Sequence, residues 1–219
     1  MNLKKTLAAL LLPALLFGWL SVNSRPPVTE RNYLDSLRAF WQGVYPQGGT
    51  TLYCGYRFKP FDRKVNVEHV YPMSWVTRKL KCGKREECRH KSPRFNFIES
   101  DMHNLFPALK EINQARGSMP FAMIPGEKRY RKNCDFEVDF RKHRVEPRPE
   151  ARGIIARAML YMADEYDLKL FERQRRLMED WDRRYPPGED EIRHNQAVKR
   201  IQGGSNPWID RAAKRRENR

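Results

Sequence analysis

The sequence lacks the features that would divide its 219 residues or hold them in a membrane. It has no internal repeat and no long low-complexity linker, which predicts a single domain with one sizeable core. It has no heptad pattern either, so we expect a monomer. The apolar run at residues 7–20 spans about 14 residues, whereas a helix that crosses a bilayer needs about 20.

This short apolar run predicts an export signal. Lys4 and Lys5 precede it, and small side chains follow at Val22 and Ser24, which is the arrangement of a signal peptide over residues 1–24. An uncleaved anchor is the alternative. No cysteine lies at the expected cut, so we expect neither a lipid anchor nor stable membrane association after cleavage. The mature chain is therefore expected in the periplasm or outside the cell.

Acidic residues are scarce relative to basic ones. The chain has 27 Asp and Glu against 43 Lys and Arg, and its formal net charge is +16. Such a charge favours a polyanionic partner, because cations that neutralise phosphates release condensed counterions. Charge alone does not separate nucleic acid from a membrane surface, from another polyanion, or from a need for solubility.

The chain has no Cys-x-x-Cys pair, which argues against the commonest zinc sites. Its cysteines are Cys54, Cys82, Cys88 and Cys134. An even number in an exported chain predicts disulfides, and four cysteines allow three pairings. Cys82 and Cys88 are close enough to close a small loop, which leaves Cys54 with Cys134. A zinc site that includes His90 or His103 is the competing interpretation.

A carboxylate and a histidine are adjacent in the middle of the chain. The β-branched segment 65–71 predicts a strand that ends at Pro72, and it contains Glu68 and His69. Neighbouring side chains of a strand point to opposite faces. If both residues serve one site, the alternation must lapse at a bulge or at the strand end. The alternative is an exposed glutamate beside a half-buried histidine.

A second polar run, residues 101–107, precedes a predicted helix. Pro107 is typical of a first helical turn, good helix formers extend to Arg116, and Gly117 is a typical C-terminal cap. Asn113 and Arg116 share one face of this helix, beside the apolar positions. A partly buried asparagine needs a partner, which a metal ion or a backbone group could supply. A hydrogen-bonded surface role is the alternative.

Taken together, these runs resemble the ββα-metal (His-Me) finger and, more closely, the bacterial endonuclease I family of secreted and periplasmic nucleases. The resemblance covers residues 30–210 approximately. The matching runs are Glu68-His69-Val70-Tyr71-Pro72-x-Ser74-Trp75, Asp101-Met102-His103-Asn104-Leu105-x-Pro107-Ala108, Ile112-Asn113-x-x-Arg116, the segment 152–162, and Gln202-Gly203-x-x-Asn206-Pro207. It implies an α+β fold, with one mixed domain over residues 25–210 built around the finger and several helices packed on it.

The chemistry of phosphodiester hydrolysis agrees with these residues. A neutral His69 can accept the proton of the attacking water, and we expect a backbone carbonyl to hold its other nitrogen. Glu68 and Asn113 offer the oxygen ligands that Mg²⁺ prefers. The resemblance implies the same roles, with one Mg²⁺ that Mn²⁺ or Ca²⁺ could replace, and products with 5′-phosphate ends.

An arginine is expected on the scissile phosphate, because its planar fork matches two phosphate oxygens. The resemblance points to Arg85, within the small loop that the Cys82–Cys88 pair would close. Arg116 is the second candidate, because it shares a helical face with Asn113. His103 is expected to be structural.

No motif for reading base edges is visible, so contacts should fall on phosphates and tolerate any sequence. We therefore expect cleavage of DNA and also of RNA, which the resemblance implies as well. A secreted basic protein that binds nucleic acid without turnover is the main alternative, and a zinc-dependent hydrolase is a weaker one.

Hydrophobic periodicity predicts the remaining elements. The predicted elements are a helix at 29–45, a short element at 52–58, a strand at 136–140, a core helix at 150–166, and helices at 170–184 and 189–201. The charged residues 211–219 are expected to form a basic, disordered tail.

Overall fold

The computed structural model describes residues 32–126 and 128–217. The predicted signal peptide at residues 1–24 and the start of the helix predicted from Thr29 lie outside these ranges. Within them, every helix is too short or too polar to cross a membrane.

The described chain combines helices with three small antiparallel sheets, which confirms the predicted α+β class. The helices are α1 (Tyr33–Ala39, continued by a π-helical turn at Phe40–Val44), α2 (Met73–Leu80), α3 (Arg85–Lys91), α4 (Pro93–Glu99), α5 (Lys110–Arg116), α6 (Pro149–Tyr166), α7 (Glu172–Arg184), α8 (Glu189–Gln202) and α9 (Pro207–Glu217). The strands are β1 (Gly49–Thr50), β2 (Arg57–Phe58), β3 (Val65–His69), β4 (Leu105–Leu109), β5 (Arg129–Arg131), β6 (Cys134–Asp139) and β7 (Arg144–Pro147).

The finger is formed by β3, β4 and α5. The two strands pair antiparallel without a register shift, with Glu68 opposite Phe106 and His69 opposite Leu105. His69 is the last residue of β3. Of the two ways in which Glu68 and His69 could serve one site, the structure therefore shows the strand end and not a bulge.

The predicted start of the finger helix is wrong. Pro107 belongs to β4, where it lies opposite Val67, and α5 begins only at Lys110. A proline is tolerated in this strand because a two-stranded sheet has only edge strands. The Pro107 carbonyl still accepts a hydrogen bond from the Leu52 N–H at 2.8 Å.

The segment between β3 and β4 forms an insertion of three short helices, α2 to α4. A disulfide between Cys82 and Cys88 joins the end of α2 to α3, and a second disulfide joins Cys54 to Cys134. Both predicted pairings are thus confirmed. The zinc interpretation is wrong, because all four cysteines are in disulfides.

The main core surrounds α6, which is buried along most of its length and packs against α7. Its Arg157 is buried too, where it binds Glu191 and Asp182. The disorder expected from residue 211 is not found up to residue 217, because these residues continue α9. Ile209 and Ala212 are buried on this helix, and Arg215 pairs with Asp182 on α7.

Candidate active site

A cleft of about 1690 Å³ runs beside the finger. Four of the side chains that the sequence predicts to act together line it: Glu68, His69, Arg85 and Asn113. The first two come from the end of β3, Asn113 comes from α5, and Arg85 begins α3 in the insertion. The finger and its insertion therefore meet at this cleft.

Glu68 is only 3% exposed. Its Oε1 accepts a hydrogen bond from the Tyr53 hydroxyl at 2.6 Å and another from Arg116 Nη1 at 2.9 Å. Burial raises the pKa of this carboxyl, and the Arg116 charge opposes that shift. These contacts fix the orientation of the carboxylate at the cleft wall.

Arg116 has a different role from the one predicted. It is 0% exposed and is not among the residues that line the cleft. Its guanidinium donates to Glu68, to the His69 carbonyl at 3.0 Å and to the Val70 carbonyl at 2.7 Å. The structure therefore gives no support to phosphate binding by Arg116, because both terminal nitrogens of its guanidinium donate to acceptors of the protein itself and its unpaired Nε is buried away from the cleft.

His69 lies at the end of β3, and its Nε2 donates to the Glu99 carbonyl at 2.9 Å. The expected hydrogen bond to a backbone carbonyl is present, and it leaves Nδ1 as the acceptor nitrogen. Burial and the nearby Arg85 charge lower the pKa of His69 to about 3. The imidazole is therefore neutral near pH 7, which is the form that a proton acceptor requires.

Asn113 projects from α5 toward β3. Its amide nitrogen donates to Asn66 Oδ1 at 3.0 Å and to the Val67 carbonyl at 3.1 Å. Because both amide hydrogens are used in this way, the amide oxygen is the atom that remains for a ligand.

These residues fit a hard divalent cation that keeps much of its water. They supply one carboxylate and one amide oxygen, which suits Mg²⁺ better than Zn²⁺. Among the described residues, no group of three or more His, Cys, Asp and Glu side chains is placed to hold a metal. A cation held here would therefore rely on water and substrate oxygens for its other ligands.

Arg85 is held at the cleft by Glu99. Its Nε donates to Glu99 Oε1, and its guanidinium lies over the Tyr33 ring at 5.3 Å. Its Nη2 is buried and has no hydrogen-bond partner among the residues that the structure describes. Such a group has an unsatisfied demand for an acceptor, which a phosphate oxygen would meet.

Sequence reasoning missed Glu99 and Tyr53. Glu99 is fully buried at the end of α4, where its carbonyl holds His69 and its carboxylate binds both Arg85 and Arg89. No sequence pattern indicates this role, because it depends on where the insertion folds back. For Tyr53, the predicted disulfide at the neighbouring Cys54 is the sequence signal for its burial.

The polar run before β4 is structural. Asn104 binds both the N–H and the carbonyl of Tyr71, which holds the chain just after His69. Asp101 accepts hydrogen bonds from Tyr161 and Gln202. His103 donates from Nε2 to the Gly204 carbonyl at 2.8 Å, in agreement with the structural role expected for it.

Comparison with known proteins assigns the chain to a family. The Endonuclease I family model matches residues 34–213. A periplasmic deoxyribonuclease of Aeromonas hydrophila is 34% identical over 228 positions, which cover 91% of this chain and 95% of that protein. An extracellular deoxyribonuclease of the same organism is 40% identical, over 72% of this chain and 71% of that protein.

A third relative is the Endonuclease-1 of Buchnera aphidicola from Acyrthosiphon pisum. It is 31% identical over 170 positions, which cover 74% of this chain and 68% of that protein. A match over so much of the chain, on a fold that brings Glu68, His69 and Asn113 to one cleft, confirms the nuclease prediction at the level of the family. The chain belongs to the endonuclease I family.

Proposed function

We propose that this protein is an exported, metal-dependent endonuclease that hydrolyses phosphodiester bonds of DNA and RNA and leaves 5′-phosphate ends. The observation that carries the proposal is the convergence of Glu68, His69 and Asn113 on one cleft. The hydrogen bond from His69 to the Glu99 carbonyl supports it, because it leaves a neutral Nδ1 free to accept a proton.

His69 is the general base. Its Nδ1 accepts the proton of the attacking water, and the Glu99 carbonyl stabilises the imidazolium that results. The free protein has a low pKa at His69, which makes the imidazole available but weak as a base. An anionic phosphate bound in the cleft raises that pKa, because it stabilises the charged form.

Glu68 and Asn113 would hold the metal ion through their side-chain oxygens. A Mg²⁺ ion there would supply positive charge next to the phosphate and the departing 3′ oxygen. Tyr53 and Arg116 keep the Glu68 carboxylate in one orientation, so the ligand is preorganised before substrate binds.

Arg85 binds the scissile phosphate. Its Nη2 has no partner within the described chain, while Glu99 holds the other end of the guanidinium. A positive group held in this way stabilises charge that develops in the transition state.

Sequence tolerance follows from the charge of the cleft. Further cationic side chains line it: Arg38, Lys59, Arg78, Lys84 and Lys110. They suit phosphates, which are the same in every sequence and in both nucleic acids. Acceptance of RNA is proposed on this basis.

Export is proposed from the signal peptide expected at residues 1–24. The names of the two Aeromonas relatives, one periplasmic and one extracellular, support it.

The test is digestion of plasmid DNA and of RNA by the mature, oxidised protein with Mg²⁺. We expect degradation that EDTA abolishes and that His69→Ala lowers by at least about 100-fold, the usual contribution of general base catalysis. His90→Ala is the matched control, because His90 is exposed on α3. A shifted band without cutting, identical in His69→Ala, would show a binding protein without turnover and overturn the proposal.

A further inference from the structure

Phe61 is a large apolar side chain that is 100% exposed. It lies in the turn between β2 and β3, and it lines the same cleft as Glu68 and His69. A single exposed apolar side chain is ordinary on a protein surface. The backbone at Phe61 and the position of the ring are not ordinary, and they indicate a function.

The turn places Phe61 where a glycine is normally found. The Asp62 N–H donates to the Lys59 carbonyl at 3.2 Å, which closes a four-residue turn. Pro60 is its second residue, and Phe61 is its third with φ of 65°. A proline followed by a residue of positive φ is the pattern of a type II turn, in which the third position favours glycine. A bulky residue in that conformation is strained.

The turn is also rigid. Asp62 accepts a hydrogen bond from the Tyr56 hydroxyl at 2.8 Å and another from the Lys64 N–H at 2.9 Å. The Asp62 carbonyl accepts from the Val65 N–H, at the start of β3, at 3.1 Å. The turn is thereby tied to the strand that carries Glu68, and its backbone presents the exposed ring at the cleft.

The surroundings of the ring are cationic. Lys59 lies two residues before it, and Arg38 and Lys110 line the same cleft. A ligand that enters will be drawn by its phosphates. An apolar ring within such a cleft has an obvious partner on a nucleic acid, which is the flat face of a base.

We propose that Phe61 stacks on a base of the nucleic-acid strand bound in the cleft and so positions the substrate. This inference rests on the proposed function. Stacking tolerates any sequence, because every base has a π-face, so it agrees with contacts that otherwise fall on phosphates. It adds an affinity for bases that are free to unstack, as in single strands.

The chain limits how far the stacked base lies from the reaction. Phe61 precedes Glu68 by about seven residues, and an extended chain spans at most about 3.5 Å per residue, so the two Cα atoms are within about 25 Å. At the spacing of about 3.4 Å per base that a duplex strand has, a length of about 25 Å corresponds to about seven nucleotides, so a short oligonucleotide is long enough to reach both places.

The test measures binding of a short single-stranded oligonucleotide in EDTA, so that turnover is not needed. We expect Phe61→Ala and Phe61→Gly to raise the dissociation constant about 5- to 150-fold, the usual effect of losing one base–aromatic stack. Phe61→Trp should bind as the unchanged protein does. Phe140→Ala is the matched control, because Phe140 is 57% exposed at the turn between β6 and β7.

Phe61→Gly separates binding from folding. Glycine adopts positive φ without strain. The melting temperature of the Phe61→Gly variant should therefore equal or exceed that of the unchanged protein. Weaker binding by a variant of undiminished stability cannot come from unfolding.

A series of oligonucleotides, each of which lacks the base at a different position, then locates the contact. At one position, the missing base should weaken binding by the unchanged protein as much as the Phe61→Ala substitution does. The same missing base should not weaken binding by the Phe61→Ala variant any further. Equal affinity of Phe61→Ala and the unchanged protein would overturn the inference, even if both cut DNA. A protein that never cuts but binds through Phe61 would overturn the nuclease proposal alone.

Discussion

Arg85 and Arg116 each pair with a glutamate of the site, but they lie in opposite surroundings. Arg116 is 0% exposed, and its guanidinium donates to Glu68 and to backbone carbonyls at the strand end. The Arg85 side chain is 41% exposed, pairs with Glu99 and keeps Nη2 without a partner in the described chain. In the sequence, the family resemblance points to Arg85 and the shared helical face with Asn113 makes Arg116 the second candidate. Burial is what distinguishes the two in the structure, because only the Arg85 side chain lines the cleft.

The largest effect is expected from Arg116→Ala. Its removal leaves the Glu68 carboxylate buried without its cation, which typically costs about 3–5 kcal/mol of the free energy of unfolding. Urea denaturation at pH 7 measures this loss. Arg131→Ala is the control, because the Arg131 side chain is 56% exposed in its pair with Glu111. Unchanged stability together with weaker DNA binding would restore the phosphate-binding role for Arg116.

Arg85→Ala should lower activity strongly and change stability little, which is the reverse of the effect expected for Arg116→Ala. We expect kcat to fall about 100- to 1000-fold, as when a charge-stabilising donor is removed from a transition state. The free energy of unfolding should change by less than about 1 kcal/mol, because the pair is partly exposed and Arg89 still binds Glu99. Steady-state kinetics beside urea denaturation checks both parts. A variant that unfolds instead would make Arg85 a structural residue like Arg116.

The Cys82–Cys88 disulfide tests whether the insertion keeps Arg85 in place. The two cysteines are six residues apart, and Arg85 lies between them. The double variant Cys82→Ser, Cys88→Ser should lower the free energy of unfolding by about 2 kcal/mol. The effect is modest because a disulfide that closes so short a loop removes little conformational entropy from the unfolded chain. Activity should fall in step with Arg85→Ala and should not fall further when the two changes are combined. Additive losses would show that Arg85 is positioned without the disulfide.

The same contrast between buried and exposed side chains applies to histidine. Burial, with the nearby His103, lowers the pKa of His194 to about 3, and its Nε2 binds the Met102 carbonyl at 3.2 Å. The unfolded chain binds a proton near pH 6.5, and the folded chain does not until about pH 3. Stability should therefore be lost as the pH falls through this window, by at most about 1.4 kcal/mol per pH unit for this histidine.

His194→Gln should flatten that dependence, because glutamine does not titrate. Urea denaturation at a series of pH values from 7 down to 4 measures the slope. His90→Gln, at an exposed position, is the control and should retain the slope of the unchanged protein. An unchanged slope in His194→Gln would assign the acid sensitivity to other groups.

The helices and disulfides were largely predictable, because their signals are local. The core helix predicted at residues 150–166 is found at Pro149–Tyr166, and the helix predicted at 189–201 is found at Glu189–Gln202. Pro107 misled the prediction of the finger helix, because a proline suits an edge strand as well as a first helical turn. The basic C-terminal segment is predicted to be a disordered tail, since the acidic residues that bind it in the structure, such as Asp182, are distant in sequence.

Residue identity and order along the chain are enough to predict the family, the pairing of nearby cysteines, and the candidate set of Glu68, His69, Asn113 and Arg85. Three features become visible only in the folded chain: Arg116 is internal, the Glu99 carbonyl binds His69, and Phe61 is exposed at the cleft. These facts depend on burial and on contacts between distant segments. Local sequence does not encode them, because the same arginine or phenylalanine is stable in either surrounding once its partners are in place.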